Sequence, residues 1–364
     1  MEYFVLILLS VGFAYLGTTY KFKSENSIRD LIFKLLPIII ISLVAGLRGY
    51  TVGTDTNGTY LDIYNISTNN LWAIRDKGYA ILNYIVKSIF GNYTAVLIVV
   101  SFITYGLVFY RIYKISKIEW YSVLLFFATD FFFISMNMVR QSIAIAIFMF
   151  AITLLHSNEK KDIILYFVMA FIAGSMHTTG LIMIPAFFLY RFIKLSPVKA
   201  IIFTVANIIL CGIVIKIALA ILFKIEYFNV YFKWYFDSSY NSGELSIVGI
   251  MIPFTILILW AVLYKLNESA KDDIQFNDLG ISMLIAGNLA IYSNMIPLVQ
   301  RISLYFSSMI ILFLPCIFLH IDNKKYRKIM EIVTTVCYLT YMIITIYIQK
   351  QEGVLPYYSV IFGG

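Results

Sequence analysis

The sequence predicts an all-α, polytopic membrane protein with about twelve transmembrane helices, and three observations predict it. Apolar residues make up 61% of the 364 residues and charged residues only 13%, against roughly 25% charged in a soluble domain. The mean hydropathy is +0.85, and apolar runs recur that are each long enough to cross a hydrocarbon core of about 30 Å. No stretch has the alternation over about 10 residues that a membrane-barrel strand requires, so the crossings are helices.

In chain order the crossings fall at about 3–20, 31–47, 93–111, 119–137, 138–156, 162–176, 178–192, 198–222, 246–265, 278–297, 302–320 and 329–349. The first lacks the basic leader of a signal peptide and reads as a transmembrane helix. The boundary at 137/138 rests on Asn137-Met138-Val139-Arg140-Gln141, which interrupts the apolar run from Trp120 to Leu155. The one near 177 rests on the small, polar stretch Gly174-Ser175-Met176-His177-Thr178-Thr179-Gly180. Crossings six and seven are short, so a pair of broken or re-entrant helices is an alternative. Two connections are sizeable, about 48–92 and 223–245. The first contains Ile81–Phe90, apolar but too short to span, which fits an interfacial or re-entrant helix. The second holds Tyr227-Phe228-Asn229-Val230-Tyr231-Phe232-Lys233-Trp234-Tyr235-Phe236, either an aromatic belt or a platform against sugar rings. The chain, 1–364, reads as a single integral-membrane domain with no soluble domain, linker or fixed-period repeat.

The net charge of +8 reports orientation in such a chain, not nucleic-acid binding. Alternate connections collect 18 of the 28 basic residues, among them Arg111, Lys114 and Lys117, then Lys160 and Lys161, then Lys324, Lys325, Arg327 and Lys328. The richer set belongs in the cytoplasm, which places both termini outside. Cys211, Cys316 and Cys337 all lie in apolar runs, so neither a disulfide framework nor a zinc site is supported. No cofactor motif occurs. The outer face then receives Arg48, Asp55, Arg75, Arg140, His177 and Arg301.

Asn137, Arg140 and Gln141 would project from one face of a continuous helix. An arginine head near hydrocarbon costs about 3 kcal/mol even on lenient insertion scales, which makes it a functional candidate; the plainer reading is an arginine snorkelling to the interface. Arg48, Arg140 and Arg301 each sit at or just beyond the outer end of a span. Their planar forks match phosphate oxygens, and together they would clamp a diphosphate and stabilise it as a leaving group. Otherwise they are interface anchors. His177, the only outer histidine, suits general-base work near neutral pH or is a satisfied histidine between helices. Asp55 lies in a Gly- and Thr-rich loop, Leu47–Tyr60, that is not a nucleotide-binding loop because no Gly-Lys-Ser/Thr follows. It can pair with Arg48, bind sugar hydroxyls, or replace His177 as the base. Asp130, within the fourth span, is an intramembrane acid needing a partner and reads as orienting a basic group.

Four segments carry a resemblance: Gly46-Leu47-Arg48 … Val52-Gly53-Thr54-Asp55 … Tyr60; Asn137-Met138-Val139-Arg140-Gln141; Met176-His177-Thr178; and Gln300-Arg301-Ile302-Ser303-Leu304-Tyr305-Phe306. In this order and spacing the sequence resembles the EpsG family of polysaccharide polymerases, Wzy-like membrane proteins of exopolysaccharide, capsule and O-antigen assembly. The resemblance runs from about residue 40 to 310, and the final span adds nothing to it. It implies a GT-C-like glycosyltransferase in the bacterial cell membrane, and the lack of a DxD-like metal pair on the outer face predicts metal independence. Donor and acceptor would be oligosaccharide repeats linked to polyprenyl diphosphate, in contact with membrane lipid, with a chain-length regulator and a flippase as further partners.

The mechanism expected from residues and resemblance together has Arg140, Arg301 and Arg48 holding the donor diphosphate. His177 deprotonates the acceptor hydroxyl, and Asp55 positions saccharide or serves as the base. Asn137, Gln141, Asp130, Tyr60 and Gln300 support them, and one displacement inverts the anomeric centre. An O-antigen-ligase-like transferase is the near rival. A transporter or flippase of the lipid-linked repeat would need polar residues through the bilayer midplane, whereas these candidates crowd one face. A membrane acyltransferase would want a His/Asp pair on the cytoplasmic face, which the sequence lacks.

Overall fold

Apolar segments that must satisfy every amide internally form helices, and the computed structural model is helical almost throughout. It describes residues 2–19, 28–67, 70–192, 196–222, 224, 247–293 and 296–361. Among them there is no strand, only one isolated antiparallel bridge between Arg48 and Ser359. The aromatic stretch 227–236 lies outside the described residues. The chain forms two units, Met1–Phe187 with Leu314–Gly364, and Phe188–Phe313.

In the first unit α1 (Glu2–Thr19) packs on α2 (Ile28–Gly46), and α2 packs on α5 (Tyr93–Ile115). Between them lie α3 (Leu61–Ile66) and α4 (Lys77–Phe90). Then come α6 (Glu119–Ala128), α7 (Phe131–Asn137), α8 (Val139–Ala151), α9 (Lys160–Met176) and α10 (Met183–Phe192). Tyr105, Phe109, Phe126, Phe127 and Phe132 build an aromatic core, with Tyr3 edge-on to Phe132 and Phe133. Edge-to-face rings add to the area they bury.

The chain departs from helix at both polar clusters. Met138 (φ −93°, ψ 53°) separates α7 from α8. His177 (φ −154°, ψ 129°) ends α9 before a short 3-10 turn, Thr178–Ile182. Asn137, Arg140 and Gln141 therefore do not share one helix face, because the break at Met138 falls between them. The segment read as one crossing at 119–137 is bent by 51° between Ala128 and Phe131. Asp130 sits at the joint with φ 62°, a left-handed conformation that aspartate tolerates better than most residues. Its carboxylate accepts from Thr345 Oγ1 at 2.6 Å. The expectation that Asp130 orients a basic group is thus corrected: it ties the bend to the turn Ile343–Ile348 that continues the last long helix.

The region 48–92 holds a π-helical turn, Thr56–Tyr60, followed by α3 and α4. Helix α4 ends at Gly91 (φ 71°). It buries Tyr79, Ala80, Asn83 and Val86 and leaves Ile81, Tyr84, Ile85, Ile89 and Phe90 exposed, the two-faced pattern of an interfacial helix.

In the second unit α11 (Pro197–Leu222), α12 (Ile247–Leu266), α13 (Glu268–Asp272), α14 (Ile274–Ser293) and α15 (Pro297–Ser307) follow one another. A polar seam joins α11 to α14. Asn207 Nδ2 donates to Asn288 Oδ1 at 2.8 Å, Asn288 Nδ2 donates to Thr204 Oγ1 at 2.9 Å, and Tyr292 donates to Asn207. Interhelical bonds of this kind hold apolar helices together in lipid. The chain continues through α16 (Ile310–Leu319) and α17 (Lys324–Met342).

Among the described residues, helix lies in each of the twelve segments read as crossings. Among the described residues five helices are long and apolar enough to cross a membrane, or six if the bent pair counts as one span, and shorter apolar helices occupy five further segments.

Candidate functional site

Arg140 opens α8, so its side chain stands at the break that Met138 creates. Its Nη1 donates to Asp76 Oδ2 at 2.5 Å, and its guanidinium lies over the Tyr60 ring at 5.5 Å. Asp76 precedes α4 at the N-cap position, yet its side chain does not cap the helix. Its other oxygen accepts from the amide and hydroxyl of Thr178 at 3.3 and 3.1 Å. One buried carboxylate, 4% exposed, thus joins the starts of α4 and α8 to the turn that begins at His177, while Arg140 stays 21% exposed. The helix dipole adds to the stability of an anion at that position. The join depends on close approach. A Cβ at Gly78 would fall 2.2 Å from Ser175 Oγ and 3.0 Å from its backbone carbon, so the start of α4 touches the end of α9 only because residue 78 has no side chain.

Tyr60 and Tyr79 are buried and meet edge-to-face at 6.0 Å. Burial pushes both phenols up, while Arg140 pulls them back. Both therefore act as neutral rings. Arg140 Nε is buried with no hydrogen-bond partner.

Asn137 ends α7 and ties two further elements to the same place. Its Oδ1 accepts from Thr54 Oγ1 at 2.9 Å and from the Asp55 amide at 3.0 Å, and its Nδ2 donates to Glu352 Oε2 at 2.7 Å. The loop under Asp55 turns at Gly53 (φ 87°), where a Cβ would meet Thr56 Oγ1 at 2.9 Å and Met136 O at 3.2 Å. Glu352 belongs to a segment after the last helix that runs back along this loop. Gly53 N–H donates to Gly353 O, Gly49 N–H to Tyr358 O, and Val360 N–H to Leu47 O. Burial and the charge of Asp55 push the Glu352 carboxyl up, and the bond from Asn137 lowers it.

His177 is half-buried. Its Nδ1 lies 2.6 Å from Thr179 Oγ1 and accepts from the Thr179 amide at 3.4 Å. When Nδ1 accepts from the Thr179 amide, the neutral ring carries its proton on Nε2.

Arg48 is 1% exposed and donates to the carbonyls of Ala45 and, at 2.9 Å, Met136. It braces the end of α2 against α7. Gln141 is buried one position beyond Arg140. Arg301 and Gln300 lie on α15 in the second unit, half-buried and exposed respectively. Sequence reasoning missed Asp76 and Glu352. Asp76 had one signal, an acid directly before an amphipathic helix. Glu352 had none.

Set against known proteins, the sequence matches the model of the EpsG family over residues 31–359. The match takes in the final helix and the segment carrying Glu352, which corrects the narrower range of about 40 to 310. No curated protein and no solved structure matches.

Proposed function

Because the chain belongs to the EpsG family, we propose that it is a polysaccharide polymerase of the bacterial cell membrane, crossing about twelve times with both termini outside. It joins oligosaccharide repeats linked to polyprenyl diphosphate on the outer face. One observation carries the reading: three segments far apart in sequence meet at Arg140. The first contributes Tyr60 and Asp55, the second Asn137 and Arg140 itself, and the third reaches Arg140 through Thr178 and Asp76.

In this reading the Arg140 fork binds the donor diphosphate and stabilises the charge it gains as the glycosidic bond breaks. Asp76 holds the fork in place beforehand, so less is lost on binding. Arg75 and Lys77 flank Asp76 in sequence and supply further positive charge. Asp55 takes the proton of the attacking hydroxyl; His177, with Nδ1 engaged by Thr179, donates from Nε2 to saccharide or phosphate. A displacement by one hydroxyl inverts the anomeric carbon.

The experiment is chain-length analysis of reconstituted protein supplied with lipid-linked repeats. Wild type is expected to give a ladder, Asp55→Asn none, and His177→Ala a weakened one. A full ladder from Asp55→Asn with none from His177→Ala returns the base to His177. No ladder from wild type on its native repeat points to the ligase-like transferase, which needs a different acceptor.

A further inference from the structure

Glu352 has no part in the mechanism above, yet it fixes the residue that holds Asp55. An asparagine amide is nearly symmetric in shape, with an acceptor at one end and two donors at the other. A backbone N–H can only donate and a carboxylate can only accept, so Asp55 N–H and Glu352 require opposite ends of the Asn137 amide. A single orientation satisfies both, at 3.0 and 2.7 Å. The backbone is bent to bring Glu352 there. Lys350 and Glu352 have φ of 52° and 64°, conformations that cost non-glycine residues about 1 kcal/mol or more and persist where surrounding contacts impose them. Gly353 follows at φ 61°, and its carbonyl accepts from Gly53 at 2.8 Å.

We propose that Glu352 is a positioning residue of the transfer reaction: by accepting from Asn137 it keeps Asn137 Oδ1 on the Asp55 amide, and so fixes the turn that carries Asp55. This rests on the reading of Asp55 as the base. Glu352 itself does not touch the reacting atoms. Its contact is the Asn137 amide, and its effect passes through that amide.

The test inverts the bond. Asn137→Asp sets two carboxylates against each other, and polymer formation should fall about tenfold or more. Glu352→Gln keeps an acceptor and should stay within about threefold of wild type. In the double variant Asn137→Asp/Glu352→Gln, the new amide donates to the new carboxylate, whose other oxygen still accepts from Thr54 and Asp55. Polymer formation should return to within about threefold of wild type. A full ladder from Asn137→Asp, or a double variant as inactive as Asn137→Asp, overturns the proposal. So does a Glu352→Gln enzyme as inactive as Asp55→Asn, which would make Glu352 itself the base.

Hydrogen exchange at the Asp55 amide gives a readout that needs no activity. It should quicken in Glu352→Ala and in Asn137→Asp, and slow again in the double variant. If wild type makes no ladder, the polymerase reading fails and exchange alone decides. Restored protection in the double variant supports the positioning role, and unchanged exchange in Glu352→Ala overturns it.

Discussion

Arg140 has two surfaces in use, an edge bonded to Asp76 and a face over Tyr60. A lysine can replace the charge but neither the planar fork nor the stacking face. Arg140→Lys should therefore lose polymer formation nearly as far as Arg140→Ala, about 100-fold or more if the fork stabilises the leaving group. Near-normal polymer from Arg140→Lys would leave only a bulk electrostatic role. Asp76 can be tested without substrate. Asp76→Ala removes the one carboxylate bonded to Arg140 and both bonds to Thr178, and should lower stability by about 2 kcal/mol. Thermal unfolding in detergent measures this, and an unchanged midpoint would show that the junction holds nothing together.

At the scale of elements, the junction stands on the approach of α4 to α9. Gly78→Ala puts a methyl group into Ser175, and overpacking of this kind costs about 1–3 kcal/mol. It should also move Asp76 away from Arg140, so polymer formation should fall further than stability alone explains. Equal activity and melting temperature in Gly78→Ala would mean the two helices slide apart freely. The elements that were readable from sequence are those whose signal is local. Polar clusters at 137–141 and 174–180 mark breaks because an apolar helix has no reason to carry them, and Ile81–Phe90 is visibly too short to span. The bend at Asp130 looked instead like a charge seeking a basic partner, because nothing local announces a left-handed residue. Arg48 illustrates the same limit. Its place at a helix end suits a clamp as well as a brace, and the carbonyl of Met136 that it bonds lies 88 residues away. The Arg140–Asp76 pair spans 64 residues and the Asn137–Glu352 bond 215, separations over which periodicity carries no information.

Across the whole molecule, the first unit closes on itself through the segment that follows the last helix. Residues 353–360 bond to the loop after α2, Tyr357 donates to Val44 O, and Tyr3 donates to Val354 O. A chain cut after Ile348 retains every long helix of the unit but loses these bonds and Glu352. Its helical content should match the full chain by circular dichroism, while polymer formation should be lost. Undiminished polymer from the shortened chain would separate this segment from the reaction altogether.

That closure also has a consequence in time. Residues 47–60 leave the ribosome long before residue 352 exists, so during synthesis Asn137 and the Asp55 turn wait without their third partner. These contacts form only once the final helix has been made and the following segment has folded back, so the last residues of the chain complete a unit that its first residues begin.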